Sequence, residues 1–299
     1  MAVEMIWFFP RLGSQINLAV HNTSFDRPQP LIRLVTAIVP RHVLFTPEGL
    51  TAVYWVAMAA GLLAVIGLFT RPALFVYALG YAFFVSHAYS YADVHHREAL
   101  YVMFVLALAF SPAGDRLSVD ALLRRRRAQA TDTAAVATGT AAVATDRSDL
   151  AMWPLRFLHV LLAMTYFSTG ITKLLSGGLR WINGYTLQND IFSDAINRGI
   201  PLGIWLSHQH TLCIFLSIGT ILFETLYFVS LFLPRLAPFF FLGGLLFHLG
   251  LYYTSGHPFY EHMLLNATLL LFNDPDWFPA LWRRLSSRLP ALTLPSQTP

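Results

Sequence analysis

Long uncharged apolar blocks recur along this chain at intervals that predict membrane-crossing helices. A span needs about 20 mostly apolar residues, fewer where the helix packs inside a bundle. The stretches 51–69, 73–92, 152–175, 211–233, 237–254 and 259–273 are clear candidates. A seventh, 97–113, rises about 1.5 Å per residue to roughly 25 Å, slightly short but adequate. The stretch 31–46 is interrupted by Arg33, Pro40 and Arg41, and reads as a short span, a re-entrant piece or an interfacial helix. The opening MAVEMIWFFP lacks a basic n-region, a long apolar run and a small-residue cleavage site, so no cleaved signal is expected. The expected fold class is all-α: a polytopic transmembrane helix bundle of seven or eight spans. It falls into a first transmembrane part, 1–113, and a second, 151–275. A basic, Ala/Thr-rich loop at 114–150 separates them, and a basic tail at 276–299 follows.

Composition narrows the class. Of 299 residues, 56% are hydrophobic and only 12% charged, about half the roughly 25% of a soluble domain. Nucleic-acid binders, disordered tails, collagens and secreted disulfide scaffolds are excluded. Cys213 is the one cysteine, so no internal disulfide can form. The basic residues lie between apolar blocks rather than along one face, so no nucleic-acid partner is expected. If seven spans alternate, Arg71, Arg116, Arg124 to Arg127, Arg147, Arg235, Arg283, Arg284 and Arg288 share one side. Arg97, Arg180 and Arg198 lie on the other. The larger group should face the cytoplasm, with the chain in a bacterial plasma membrane. The Arg124–Arg127 run is a topology determinant or a contact for anionic lipid. Residues 128–149 read as a flexible linker.

Ionisable groups inside spans cost a few kcal/mol each and are functional candidates. Lys173 is the only lysine, against nineteen arginines, and lies near the end of an apolar helix. Arginine keeps its proton, whereas a desolvated lysine amine can lose one and act as a base; the bland reading is a snorkelling side chain. The alternating topology brings further titratable groups to that same membrane face. Asp93, His95, His96 and Glu98 link two other spans there, His248 lies in the upper half of a span, and His257, Glu261 and His262 cap a hairpin. Such convergence suits an acid–base site. Glu224, in mid-span, needs an internal partner, with a structural bond and a functional role both open. Trp181 and Tyr185 read as interfacial anchors, and Gly170, Gly177, Gly178 and Gly184 as positions of close approach or turning. His208 and His210 read as solvated loop residues. The D-x-H-H-x-E and H-x-x-x-E-H strings match no established metal pattern, and no metal is expected.

The run Y-F-S-T-G-I-T-K-L from Tyr166 to Leu174, followed by R-W-I-N-G from Arg180 to Gly184, resembles the signature of vitamin K-dependent γ-carboxylases. Their bacterial relatives, the HTTM (horizontally transferred transmembrane) domain proteins, share it. The stretch from His95 to Pro112, with S-V-D at Ser118 to Asp120, is similar to the family's histidine-led helix and its trailing S-V-D. Phe247 and His248, then G-H-P-F-Y-E-H-M, look like its late F-H helix and hairpin. The resemblance covers roughly residues 30–285. It implies that Lys173 is the base that deprotonates a reduced, vitamin K-type quinone so that oxygen can add. His96 would assist later steps and His248 would belong to the active-site region. It also implies carbon dioxide as co-reactant, captured after an alkoxide base removes a glutamate γ-proton. Thr172 stands where animal enzymes carry a second lysine, and His95 replaces an asparagine. Animal carboxylases also continue into a lumenal part, whereas a basic tail follows the last span here.

Three readings follow. The first is an enzyme acting on a quinone or other isoprenoid lipid, with Lys173 as base, His96 and His248 assisting, and His95, Tyr166, Trp181, His257, Glu261 and His262 binding substrate. The second is a membrane isoprenoid or meroterpenoid cyclase, a lyase-type enzyme started by protonation from Glu98, Asp93 or a histidinium. Its aromatic residues would steady carbocations. The third is a non-catalytic lipid-binding or partner-organising module.

Overall fold

A computed structural model describes residues 9–22, 24–91, 97–115, 118–135 and 148–273. Within them lie thirteen α-helices and no strand. The first half holds α1 (Leu12–His21), α2 (Pro30–Ile38), α3 (Arg41–Leu44), α4 (Pro47–Ile66), α5 (Thr70–Tyr89), α6 (Arg97–Ala109) and α7 (Val119–Ala135). The second holds α8 (Ser148–Gly177), α9 (Tyr185–Arg198), α10 (Pro201–Ser207), α11 (His210–Leu226), α12 (Ala237–Ser255) and α13 (Tyr260–Phe272). Short 3-10 turns extend α8 through Asn183 and α11 through Leu231.

Five helices are long and apolar enough to cross a membrane: α4, α5, α8 with its extension, α11 with its extension, and α12. They show apolar side chains outward as well as inward. Trp55 on α4, Phe215 on α11 and Phe239 on α12 are 63%, 67% and 72% exposed, as helices facing lipid should be. The shorter α6 and α13, of 13 residues each, rise only about 20 Å. The stretch 31–46 forms no single helix: it breaks at Pro40 into α2 and α3, since proline lacks the N–H that a continuing helix needs. At nine residues α2 rises about 14 Å, too little to cross a bilayer of roughly 30 Å alone. The stretch read as a linker from residue 128 is helical as far as Ala135.

Local chemistry sets the ends of α4. Thr46 Oγ1 accepts from the Gly49 N–H at 3.0 Å, and Pro47 supplies the fixed φ of a first helical residue. The bundle is built by neighbours in sequence: α4 packs along α5, α5 on α6, α6 on α8, α8 on α11 and α12 on α13. Its core runs from Phe9, Leu50, Tyr77, Tyr81 and Phe84 in the first half to Leu158, Leu162, Tyr166, Tyr227, Phe241 and Leu265 in the second. Between α8 and α11 the chain makes an excursion. The polar, amphipathic α9 and the short α10 pack on the ends of α11 and α12, where they close one end of the second-half bundle.

Candidate functional site

The site begins with a close helix crossing. A Cβ on Gly170 of α8 would lie 2.8 Å from Thr225 Cγ2, 2.9 Å from Thr225 N and 3.0 Å from Glu224 Cβ. Only a residue without a side chain lets the two backbones approach this closely. One turn further along α8, Lys173 therefore meets α11 across a narrow gap. Its Nζ donates to Glu224 Oε1 at 2.5 Å and Oε2 at 2.6 Å. The Glu224 side chain is 4% exposed and that of Lys173 20%, so the carboxylate is sealed in the bundle while the amine reaches open space. The Trp181 ring lies over Nζ, 5.2 Å from its centroid, within cation–π range.

That open space is a cavity of about 440 Å³. Thr165, Tyr166, Thr169 and Lys173 line it from α8, and Thr220 and Glu224 from α11. Phe247, His248, Leu251 and Ser255 contribute from α12, followed by His257, Phe259 and His262. Its roof is α9, through Leu187, Asp190, Ile191, Ser193 and Asp194. The roof is aimed by Gly184, whose φ of 82° is the left-handed conformation glycine adopts without strain. It is then tied down at the other end. His257 Nε2 meets Asp194 Oδ2 at 2.8 Å, and Arg198 Nη1 donates to the Gly256 carbonyl at 2.5 Å. Asp190 sits one turn from Asp194. Burial, and secondarily the Asp194 charge, pushes its carboxyl up from the ordinary value, with Lys173 opposing.

Deeper in the bundle a buried polar chain fixes the cavity floor. The Tyr166 and Tyr227 rings stack at 4.3 Å. Asn266, fully buried, accepts from the Tyr227 hydroxyl at 2.8 Å and donates to the Tyr166 hydroxyl at 3.0 Å. The His248 ring lies 4.8 Å from that of His262 and 5.0 Å from that of Phe259. Among the described residues, no group of three His, Cys, Asp or Glu side chains is arranged to hold a metal ion.

The structure thus brings Lys173, Tyr166, Trp181, His248, His257 and His262 to one cavity. The Trp181 ring covers the lysine, and Tyr185, 64% exposed, lies against the His210 ring at 4.2 Å between centroids. The convergence read from the sequence is narrower than expected. Glu98 is buried but accepts from the Tyr89 hydroxyl and lies outside the cavity lining, as does the buried Glu261. Asp93, His95 and His96 lie outside the described residues. His208 bonds its own Ile204 carbonyl, and His210 meets Gln188 at 2.8 Å. Sequence reading missed Asp190, Asp194 and the whole roof. The signal was present: Leu187, Ile191 and Ala195 recur every fourth residue between Gly184 and Gly199, the pattern of a one-sided helix.

The HTTM domain family model matches residues 37–277. The match spans both halves of the bundle and every cavity-lining residue, and the chain belongs to this family of membrane proteins. No curated protein matches the chain significantly. No solved structure does either.

Proposed function

We propose that this protein is an integral membrane enzyme acting on a quinone or other isoprenoid lipid, with Lys173 as its base. The observation that carries the reading is the Lys173–Glu224 pair: an amine at a cavity surface whose partner carboxylate is sealed behind it. A base must present a lone pair, and here one proton shift along an existing hydrogen bond suffices. Glu224 takes a proton from Nζ, the neutral amine accepts the proton of a substrate hydroxyl, and the resulting ammonium faces the new oxyanion. His248 and His262 stand across the cavity as proton carriers for later steps.

A hydroquinone head fits the lining. Leu187, Ile191, Phe247, Leu251 and Phe259 offer apolar and aromatic walls, and Lys173, Glu224, His248 and His262 supply polar groups that converge on the same space, the combination that orients a small molecule. When bound, the reduced quinone would supply the acidic hydroxyl, with oxygen and carbon dioxide as the co-reactants that the γ-carboxylase resemblance brings. Enclosure by α9 would keep water from reactive carbanions. In this reading α6 and α13 complete a seven-span bundle, and the arginine-rich end faces the cytoplasm of a bacterium by the positive-inside rule.

Asp190 favours a second reading, a protonation-initiated isoprenoid cyclase. Its carboxyl, exposed on α9 yet partly desolvated at the cavity, is raised from the ordinary value by that desolvation and by the Asp194 charge, with Lys173 opposing. Tyr166, Trp181, Phe247 and Phe259 line the same space, where their faces would steady a cation.

One assay separates the two. Purified wild type, Lys173→Ala and Asp190→Asn are incubated with reduced naphthoquinone, bicarbonate and oxygen, or with a prenyl lipid alone, and the lipid extracts are analysed by mass spectrometry. Quinone epoxide from wild type, lost in Lys173→Ala, supports the first reading. A product isomeric with the prenyl lipid, formed without oxygen and lost in Asp190→Asn, replaces it with the second. No product from either lipid by folded protein removes both.

A further inference from the structure

At the other end of the bundle a second cavity, of about 690 Å³, lies between the start of α5, the α6–α7 connection, α7 and the start of α8. It shares no residue with the Lys173 cavity. Trp153, in its lining, is twenty positions before Lys173 on α8, or about 30 Å along a helix. We propose that this groove binds the phosphate headgroup of an anionic phospholipid.

The argument rests on charge, geometry and neighbouring surface. Two guanidinium groups line the groove from different elements, and each is held by the same connection. Arg71 Nε donates to the Ser111 carbonyl at 2.9 Å, and Arg124 Nη2 to the Gly114 carbonyl at 2.6 Å. A guanidinium carries five donors in a fixed fork, so anchoring Arg71 through Nε and Arg124 through Nη2 leaves their other donors aimed as a unit. The acidic groups in the lining are engaged. Asp120 Oδ1 accepts from the Phe69 N–H at 3.0 Å, and its Oδ2 accepts from the Thr70 N–H and hydroxyl at 2.8 Å each. Asp115 pairs with Arg124 at 3.2 Å. Within the lining two arginines face two aspartates, and Arg125 and Arg126, exposed beside Arg124 on α7, add positive charge at its edge. Basic pockets between membrane helices are the expected seats for anionic lipid heads.

The rim selects a lipid over a soluble anion. Phe69 and Phe110 line the groove while 64% and 70% exposed. Phe110 continues into Phe75 at 6.2 Å between ring centroids. Phe75 itself is 40% exposed on the apolar face of α5. A headgroup between Arg71 and Arg124 would therefore lay its acyl chains along a strip already apolar. Trp153 completes the lining, as indole rings do at the headgroup level of membranes.

The test uses the full-length protein in detergent, by native mass spectrometry with phosphatidylglycerol or phosphatidylcholine of matched chains, and with inorganic phosphate alone. Wild type should retain phosphatidylglycerol in preference to phosphatidylcholine, and the preference should collapse in high salt. The double variant Arg71→Gln, Arg124→Gln should bind phosphatidylglycerol about tenfold more weakly or worse, with phosphatidylcholine retention unchanged. Equal retention of the two lipids by wild type overturns the proposal, and needs no variant to fold. So does a double variant that keeps the wild-type preference. Displacement of phosphatidylglycerol by millimolar inorganic phosphate overturns it in favour of a soluble anion.

Discussion

Lys173 and Glu224, 51 positions apart in the chain, meet at 2.5 Å across the α8–α11 crossing. The pair is asymmetric, with the carboxylate buried and the amine at the cavity wall. Removing one partner of such a pair leaves the other charge uncompensated, at a cost on the order of 3 kcal/mol. Lys173→Met and Glu224→Leu, each alone, should therefore lower thermal stability in detergent clearly. The double variant should recover much of the loss, because an apolar pair of similar volume is tolerated. Under the proposed function, turnover in the lipid assay should by contrast be lost in all three. Recovery of activity in the double variant would remove Lys173 from the chemistry.

Gly170 sets that geometry. A Cβ there would press on the Thr225 backbone N at 2.9 Å, and backbone yields less readily than a side-chain tip. Gly170→Ala should destabilise the protein by about 1–3 kcal/mol, the usual cost of overpacking. Under the proposed function it should also reduce turnover, since widening the crossing parts Nζ from Glu224. Differential scanning fluorimetry beside the lipid assay reads both effects. Unchanged stability would mean the crossing is looser than the contacts indicate.

Asn266 is the single side chain that satisfies two buried tyrosine hydroxyls, Tyr166 and Tyr227. Asn266→Leu would leave both without this partner, and each orphaned buried group costs about 1–3 kcal/mol. A drop in melting temperature larger than that of Thr225→Val is expected. Thr225 is a useful control because its hydroxyl bonds only its own helix, at Ile221 and Leu222.

Some of this was legible from the residues alone and some was not, for identifiable reasons. A lone lysine in an apolar helix is conspicuous, and a mid-span Glu224 had to have an internal partner. Joining them required the α8–α11 crossing, which Gly170 hints at but does not specify. The α9 roof escaped because a search for apolar length passes over a helix that buries only one stripe. Ser118 and Asp120 stood out through the S-V-D resemblance without any role. Asp120 clamps the start of α7 onto the start of α5 through residues 51 and 50 positions earlier, whereas Ser118 caps α7 locally by accepting from the Ala121 N–H. The arginine run hinted at lipid, but Arg71, from another helix, completes the groove.

Asp190 gives the roof a pH signature. Its carboxyl is raised above the ordinary 3.8, mainly by burial. A raised acid favours the folded state when protonated; that contribution is full below the unfolded value and is lost as pH rises through the folded one. At neutral pH the ionised Asp190 therefore costs stability, and Asp190→Asn should raise the melting temperature there. The gain should shrink to nothing as pH falls below 4. A gain of equal size at all pH values would mean that a cause other than ionisation is at work.

Asp120 carries the opposite sign. The Thr70 N–H bond chiefly, with the Thr70 hydroxyl and Phe69 N–H adding to it, holds its carboxyl below the ordinary 3.8 against some desolvation. A depressed acid stabilises the fold above its unfolded value, and that contribution is lost as pH falls through the folded one. Asp120→Ala also removes the acceptor for the first N–H groups of α5, a capping loss of about 0.5–2 kcal/mol. Thermal unfolding of wild type and Asp120→Ala from neutral pH into the acid range should show two curves well separated near neutrality. They should converge below the ordinary carboxylate range, once the wild-type carboxyl is itself protonated. If they stay parallel through that range, the cap does not depend on the charge, and the Asp120→Asn variant should then match wild type at neutral pH.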